Sequence, residues 1–139
     1  MADPAGTYIN KDDLEAEFGE SNIIVWSNKE NTTGTANNTA VQAAIDYAER
    51  YVEDRFRGSK YAVPFVPKSG ALTTVIHWCI RLAGWKLYAA RGLRDKDDEG
   101  NQLDGIKEDV NAEINSTLAG MRKLDVELYT ATPSGPVVM

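Results

Sequence analysis

The segment spanning residues 70–91 restricts the fold more than any other part of the chain. Its apolar residues occur at nearly every angle around a helix axis instead of along one stripe: Leu72, Val75, Ile76, Trp78, Cys79, Ile80, Leu82, Ala83, Trp85, Leu87 and Tyr88. A helix that is apolar all round is stable in water only when other elements or a partner chain cover it. The sequence therefore predicts a helix that is central in an all-α domain or covered by a neighbouring chain.

Two amphipathic helices flank this segment. Residues 39–57, preceded by Asn38 as N-cap and followed by Gly58, have one apolar stripe: Val41, Ala44, Ile45, Ala48, Val52 and Phe56. The opposite side of this helix is predicted to be charged: Asp46, Glu49, Arg50, Glu53 and Arg57. Residues 102–122 have a second stripe: Leu103, Ile106, Val110, Ile114, Leu118 and Met121. Spacings of three and four residues are typical of half-buried helices, so we predict a bundle of three main helices.

Shorter elements complete the predicted domain. Asn10 can cap a short N-terminal helix that ends at Gly19. The apolar run 23–26 fits either one helical turn or a strand, and 28–38 is predicted to be an exposed polar loop. Pro64 and Pro67 exclude a helix between them, and we expect Phe65 and Val66 to pack inward.

The end of the chain differs in composition from the rest. After Glu127 it carries no charged side chain, and Pro133 and Pro136 exclude a continuous helix. We therefore divide the chain into a helical domain, residues 1–127, and an extended C-terminal arm, residues 128–139. The apolar residues of the arm are candidates for docking on a partner protein: Leu128, Tyr129, Val137, Val138 and Met139.

Composition excludes several classes of protein. The 139 residues have a formal net charge of −6, with bases interleaved among acids, which argues against tight binding of nucleic acid. No apolar run reaches the roughly 20 residues that span a bilayer, and residues 1–7 do not resemble a signal peptide. The single cysteine, Cys79, cannot form an internal disulfide and fits a reducing cytoplasm.

The sequence contains no convincing catalytic or metal motif. Asp95, Asp97 and Glu99 imitate the start of a calcium loop, but Ile106 occupies the position of the bidentate carboxylate. His77 and Cys79 are two residues apart on a helix and so point to different faces, which predicts structural roles for both. We expect no enzyme activity, no cofactor and no metal site.

The order of elements from Thr7 to Leu128 resembles that of the phage head–tail adaptor proteins encoded in Mu-like prophages and many tailed phages. The matching features are Tyr8-Ile9 with Asp12-Asp13-Leu14 and Phe18-Gly19, the helix ending in 51–56, residues 57–61, and the Pro64-to-Pro67 segment. The strongest is the run 82–93, where Trp85-Lys86-Leu87-Tyr88 stands where the family usually has Tyr-x-Leu-Tyr. The polar insert 28–38 and the C-terminal extension depart from the family pattern.

This resemblance implies a structural virion protein of the neck, present in the host cytoplasm during assembly. It implies a ring, usually of twelve copies, beneath the portal protein, which extends the DNA channel and docks the tail or a stopper protein. DNA would pass through the lumen without specific binding. The alternative is a small terminase subunit, which would need a basic helix-turn-helix face that the sequence does not show.

A ring of identical subunits uses two different surfaces of each copy. The predicted surfaces are the charged sides of two long helices. One comprises Arg50, Glu53, Arg55 and Arg57, and the other comprises Lys107, Glu108 and Glu113.

Overall fold

A computed structural model of the chain describes residues 3–28, 34–68, 72–90 and 98–128, and for residues 98–104 it describes the backbone alone. Within these ranges the chain forms five helices and no β-sheet, which confirms the predicted all-α fold. They are α1 (Lys11–Phe18), α2 (Glu20–Ser27), α3 (Asn38–Phe56), α4 (Thr73–Ala90) and α5 (Asp98–Leu118).

Helix α4 is the centre of the bundle and packs against α1, α2, α3 and α5. This arrangement explains why the apolar residues of α4 do not form a single stripe. The elements that cover α4 belong to the same subunit. Trp78 is buried and its ring stacks on that of Phe56 from α3 at a centroid distance of 5.8 Å. A buried side chain such as Phe56 stabilises the fold by about 1.5–3 kcal/mol.

The N-terminal helix begins as the sequence predicts. Asn10 forms a capping box in which its side chain accepts from the backbone N–H of Asp13, and the Asp13 carboxylate accepts from the backbone N–H of Asn10. Gly19, with a φ of 93°, separates α1 from α2. The ambiguous run 23–26 is helical, because it belongs to α2.

Several predicted boundaries are wrong by a few residues. Asn37, not Asn38, caps α3, and its side chain accepts from the backbone N–H of Ala40 at 3.2 Å. Helix α5 ends at Leu118, and Gly120 follows with a φ of 85°. The predicted apolar stripe of α5 therefore extends only to Ile114. Beyond it, Leu118 and Met121 are 39% and 79% exposed.

Two short segments pair alongside the bundle, and we call residues 60–68 with 123–128 the ribbon. Antiparallel bridges join Tyr61 to Leu128 and Pro67 to Val126. The segment 61–68 is extended as predicted, and a cis peptide bond precedes Pro64. Of the two side chains predicted to pack inward, only one does. Phe65 is buried, whereas Val66 is 49% exposed because successive side chains of an extended backbone point to opposite sides.

Some predicted features lie outside the described residues. These are residues 29–33 of the polar loop, residues 91–97 with the first part of the calcium-like acidic turn, and residues 129–139 of the arm. The backbone of Glu99 is described and is helical, because α5 begins at Asp98 and not at residue 102 as predicted. Residues 34–37 of the loop are described and are not helical.

Candidate interaction surfaces

The N-terminal segment is fixed to α3 by one buried carboxylate. Glu49 is 8% exposed and accepts hydrogen bonds from the backbone N–H groups of Thr7, Tyr8 and Ile9 at 2.8, 2.7 and 3.0 Å. We call residues 6–9 with Glu49 the N-terminal clasp. The sequence placed Glu49 on the solvated side of α3, which is wrong. On the helical wheel Glu49 lies beside Phe56 at the edge of the apolar stripe, and this position could have shown that it faces inward.

Tyr8 extends the clasp to the ribbon. Its hydroxyl donates to the Glu53 carboxylate at 2.6 Å and accepts from the backbone N–H of Phe65 at 2.9 Å. Burial and the hydrogen bond to Glu53 raise the pKa of the Tyr8 hydroxyl well above its usual value. The phenol therefore stays protonated and keeps both bonds, so that the N-terminal segment, α3 and the ribbon are held together.

A seam of aromatic rings and lysines covers the junction of α3, α4 and α5. The Lys107 ammonium lies 4.7 Å from the ring centroid of Trp85 and 5.5 Å from that of Tyr51. The Lys86 ammonium lies 4.6 Å from the ring centroid of Tyr47. Contacts of this kind contribute about 0.5–1 kcal/mol each at partly exposed sites. Lys107, a predicted subunit-contact residue, is thus engaged inside its own subunit.

Polar contacts next to this seam hold α5 on α3. Asn111 accepts from the Tyr51 hydroxyl at 2.5 Å and from the Arg55 guanidinium at 2.8 Å. The same guanidinium also donates to the side chain of Asn115. Nothing in the spacing of the sequence pointed to the two asparagines, because their partners lie 56–60 residues away.

The predicted subunit-contact residues divide into two groups. Glu53, Arg55, Lys107 and Glu113 have partners inside the subunit. Glu113 accepts from the indole N–H of Trp78 at 2.8 Å and lies 3.5 Å from the Arg122 guanidinium. Arg50, Arg57 and Glu108 are exposed, although Arg57 also forms an ion pair with Asp54 at 3.2 Å. The charged sides of α3 and α5 are therefore partly contacts between helices.

The ribbon has a basic and partly apolar surface. Lys60, Lys68 and Lys123 line a cavity of about 140 Å³ together with Tyr61, Leu124, Val126 and Leu128. Leu128 is 43% exposed and Val126 is buried. A second cavity of about 330 Å³ separates residues 124–126 of the ribbon from residues 72–75 at the start of α4. No spacing in the sequence indicates these three lysines, because they come together only through the pairing of distant segments.

The exposed side of α1 and the first residue of α2 are acidic. Asp12 and Glu17 of α1 and Glu20 of α2 are exposed, whereas Lys11 and Glu15 of α1 form an ion pair at 3.9 Å. Phe18 anchors this region, because its ring lies directly against Gly84 of α4.

His77 and Cys79 lie on different faces of α4, as predicted. His77 is exposed, and Cys79 is buried among core side chains. Burial, reinforced by the charges of Glu49 and Glu53, raises the pKa of the Cys79 thiol, which makes it a poor nucleophile. Across the part of the chain that the structure describes, no three histidine, cysteine or acidic side chains form a group that could hold a metal ion.

These features define a small helical domain. Its polar and aromatic side chains either hold the helices together or form charged surfaces. The model of the family described as Bacteriophage Mu, Gp36 matches residues 8–135, which is most of the chain. The chain belongs to this family and is therefore a bacteriophage protein. No curated protein and no solved structure matches it. None of the described helices is long and apolar enough to cross a membrane.

Proposed function

We propose that the chain is a structural virion protein that forms a ring beneath the portal in the neck of the virion. The ring extends the DNA channel and docks the tail or a stopper protein, and the chain has no catalytic role. The family match, the helical fold and the predicted resemblance to head–tail adaptors support this proposal. The net charge of −6 suits a channel past which DNA must slide, because a basic wall would retain phosphates.

The observation that carries the proposal is the position of Leu128. It pairs with Tyr61 and is 43% exposed, so the residue at which the proposed arm begins lies on the surface of the domain. An arm that lacks charge and contains Tyr129, Val137, Val138 and Met139 is poorly suited to remain in solvent. It is suited to docking in an apolar groove or adding a strand to an exposed edge of a partner, which we propose is the portal.

Contacts between copies would use the charged groups that the subunit leaves exposed. Arg50 on α3 and Glu108 on α5 are the members of the two predicted surfaces that best fit this role, together with Arg57. Among the other predicted members, Arg55 and Lys107 contribute indirectly, since they hold α5 against α3.

Electron microscopy of the full chain mixed with purified portal tests the proposal. We expect a ring on the portal and no ring with the arm variant Val137→Ala, Val138→Ala, Met139→Ala. A matched variant of the polar arm residues, Thr130→Ala, Thr132→Ala, Ser134→Ala, should bind as the natural chain does. Equal binding by both variants would show that the apolar groups of the arm do not dock. A chain that binds DNA specifically and not the portal would be a small terminase subunit instead.

A further inference from the structure

We propose that the ribbon of one copy binds the acidic surface formed by α1 and by Glu20, the first residue of α2, on a second copy. This inference rests on the proposed ring and adds a second contact between neighbouring copies to the one proposed for Arg50 and Glu108. A heterologous contact requires two different patches that complement each other, and this chain carries one basic and one acidic patch.

The ribbon supplies the basic patch. Residues 60–68 and 123–128 contain three lysines and two carboxylates in a chain that is acidic overall. The flanking Arg57 and Arg122 have ion-pair partners, but Lys60, Lys68 and Lys123 have none among the described residues. The Lys60 ammonium lies 5.4 Å from the ring centroid of Tyr61. All three lysines line the 140 Å³ cavity.

The apolar border of the cavity adds to this surface. Leu128 lines it and is 43% exposed. A lysine-lined cavity next to an exposed aliphatic group can take a carboxylate whose methylene stem packs on the rim, as a glutamate provides.

The acidic surface formed by α1 and Glu20 supplies complementary groups. Residues 3–20 contain six carboxylates and one lysine, and that lysine pairs with Glu15. In the described ranges no cation neutralises Asp12, Glu17 or Glu20, which are all exposed.

The two patches lie at different places on α4. Residues of the ribbon line a cavity with Val75, whereas Phe18 at the end of α1 lies against Gly84. Nine residues of α4 separate these points, roughly 14 Å along a helix that rises about 1.5 Å per residue. The described ion pairs include none between α1 and the ribbon, so the two patches remain available for different neighbours. Repetition of one such contact joins copies head to tail.

Charge reversal in the full chain tests the contact by sedimentation velocity. One variant carries Glu17→Lys and Glu20→Lys, and the other carries Lys68→Glu and Lys123→Glu. We expect oligomers of the natural chain at low ionic strength and their loss near 1 M salt, where the Debye length is about 3 Å. Each variant alone should associate at least about tenfold more weakly, and an equimolar mixture should recover association because opposite charges then meet. The matched control Asp109→Lys reverses an exposed charge on α5 and should have no effect.

A zero-length carboxylate–amine cross-linker locates the contact. In a mixture of ¹⁴N- and ¹⁵N-labelled chains, mass spectrometry should find links between Glu17 or Glu20 and Lys68 or Lys123 that join different copies. Circular dichroism of each variant confirms that it is folded. Absence of these links, or a mixture that associates no better than either variant alone, would overturn this contact. A ring on the portal in electron micrographs would still stand in that case, so the two proposals fail separately.

Discussion

The backbone of Gly6 packs so closely against the carboxylate of Glu49 that a Cβ at position 6 would overlap the carboxylate oxygens. Glycine is therefore required where the N-terminal segment crosses α3. The three N–H groups that follow Gly6 in the chain all point at the same carboxylate. The N-terminal clasp thus places one ionised group where three backbone donors would otherwise be buried without a partner.

Replacement of Glu49 by glutamine should destabilise the protein by about 2–3 kcal/mol. The variant keeps the size of the side chain but removes the charge and replaces one acceptor oxygen by a donor amide that faces N–H groups. Hydrogen bonds to a charged group contribute about 1.5–3 kcal/mol. Urea denaturation measures the change, and the exposed Glu108→Gln provides the control, which should differ from the natural chain by less than about 0.5 kcal/mol. Equal effects of the two substitutions would contradict the structural role of the clasp.

Two glycines in helices should respond to alanine with opposite signs. At Gly84 a Cβ would overlap the ring of Phe18, so Gly84→Ala should cost about 1–3 kcal/mol through displacement of α1 from α4. At Gly105 a Cβ would meet no atom of the described residues within 4 Å, and alanine favours a helix over glycine. Gly105→Ala should therefore stabilise by about 0.5–1 kcal/mol. Thermal unfolding of both variants checks the difference, and the same sign for both would refute the packing of Phe18 on Gly84.

The helices and the core could be predicted because their signals are local. The stripe of α3 and the all-round apolarity of α4 depend only on spacings of three and four residues, which any helix brings together. The end of α5 shows the limit of this argument. Met121 continues the apolar spacing of its predecessors, but Gly120 ends the helix before it and leaves it 79% exposed.

The surfaces could not be predicted because their partners are distant in sequence. Glu49 accepts from residues about 40 positions earlier, and Arg55 reaches asparagines about 56–60 positions later. A charged residue on a helix is usually solvated, so its type gave no sign of these contacts. Lys60 and Lys123 likewise meet only through the bridges of the ribbon.

Two truncations should separate the arm from the domain. Removal of residues 129–139 should change the free energy of unfolding by less than about 0.5 kcal/mol, because the packing of the described domain ends with the ribbon. Removal of residues 125–139 should cost about 2–4 kcal/mol. This deletion takes away the buried Val126 and three backbone hydrogen bonds to residues 62, 66 and 68. Chemical denaturation measures both, and a similar loss from the shorter deletion would show that the arm belongs to the folded domain.

The stability of the protein should fall at alkaline pH because of Cys79. Its folded pKa is raised by burial and by the charges of Glu49 and Glu53, whereas in the unfolded chain a thiol titrates near about 8.5. Below about pH 8.5 the thiol is protonated in both the folded and the unfolded state, so its titration does not lower the free energy of unfolding. As the pH rises above this value, only the unfolded chain releases the proton, so the free energy of unfolding falls by up to about 1.4 kcal/mol per pH unit. Denaturation curves of the natural chain and Cys79→Ala between about pH 8 and 10 should diverge in slope, the variant being flatter. Parallel slopes, or rapid reaction of the native thiol with a disulfide reagent, would show that Cys79 is accessible to solvent.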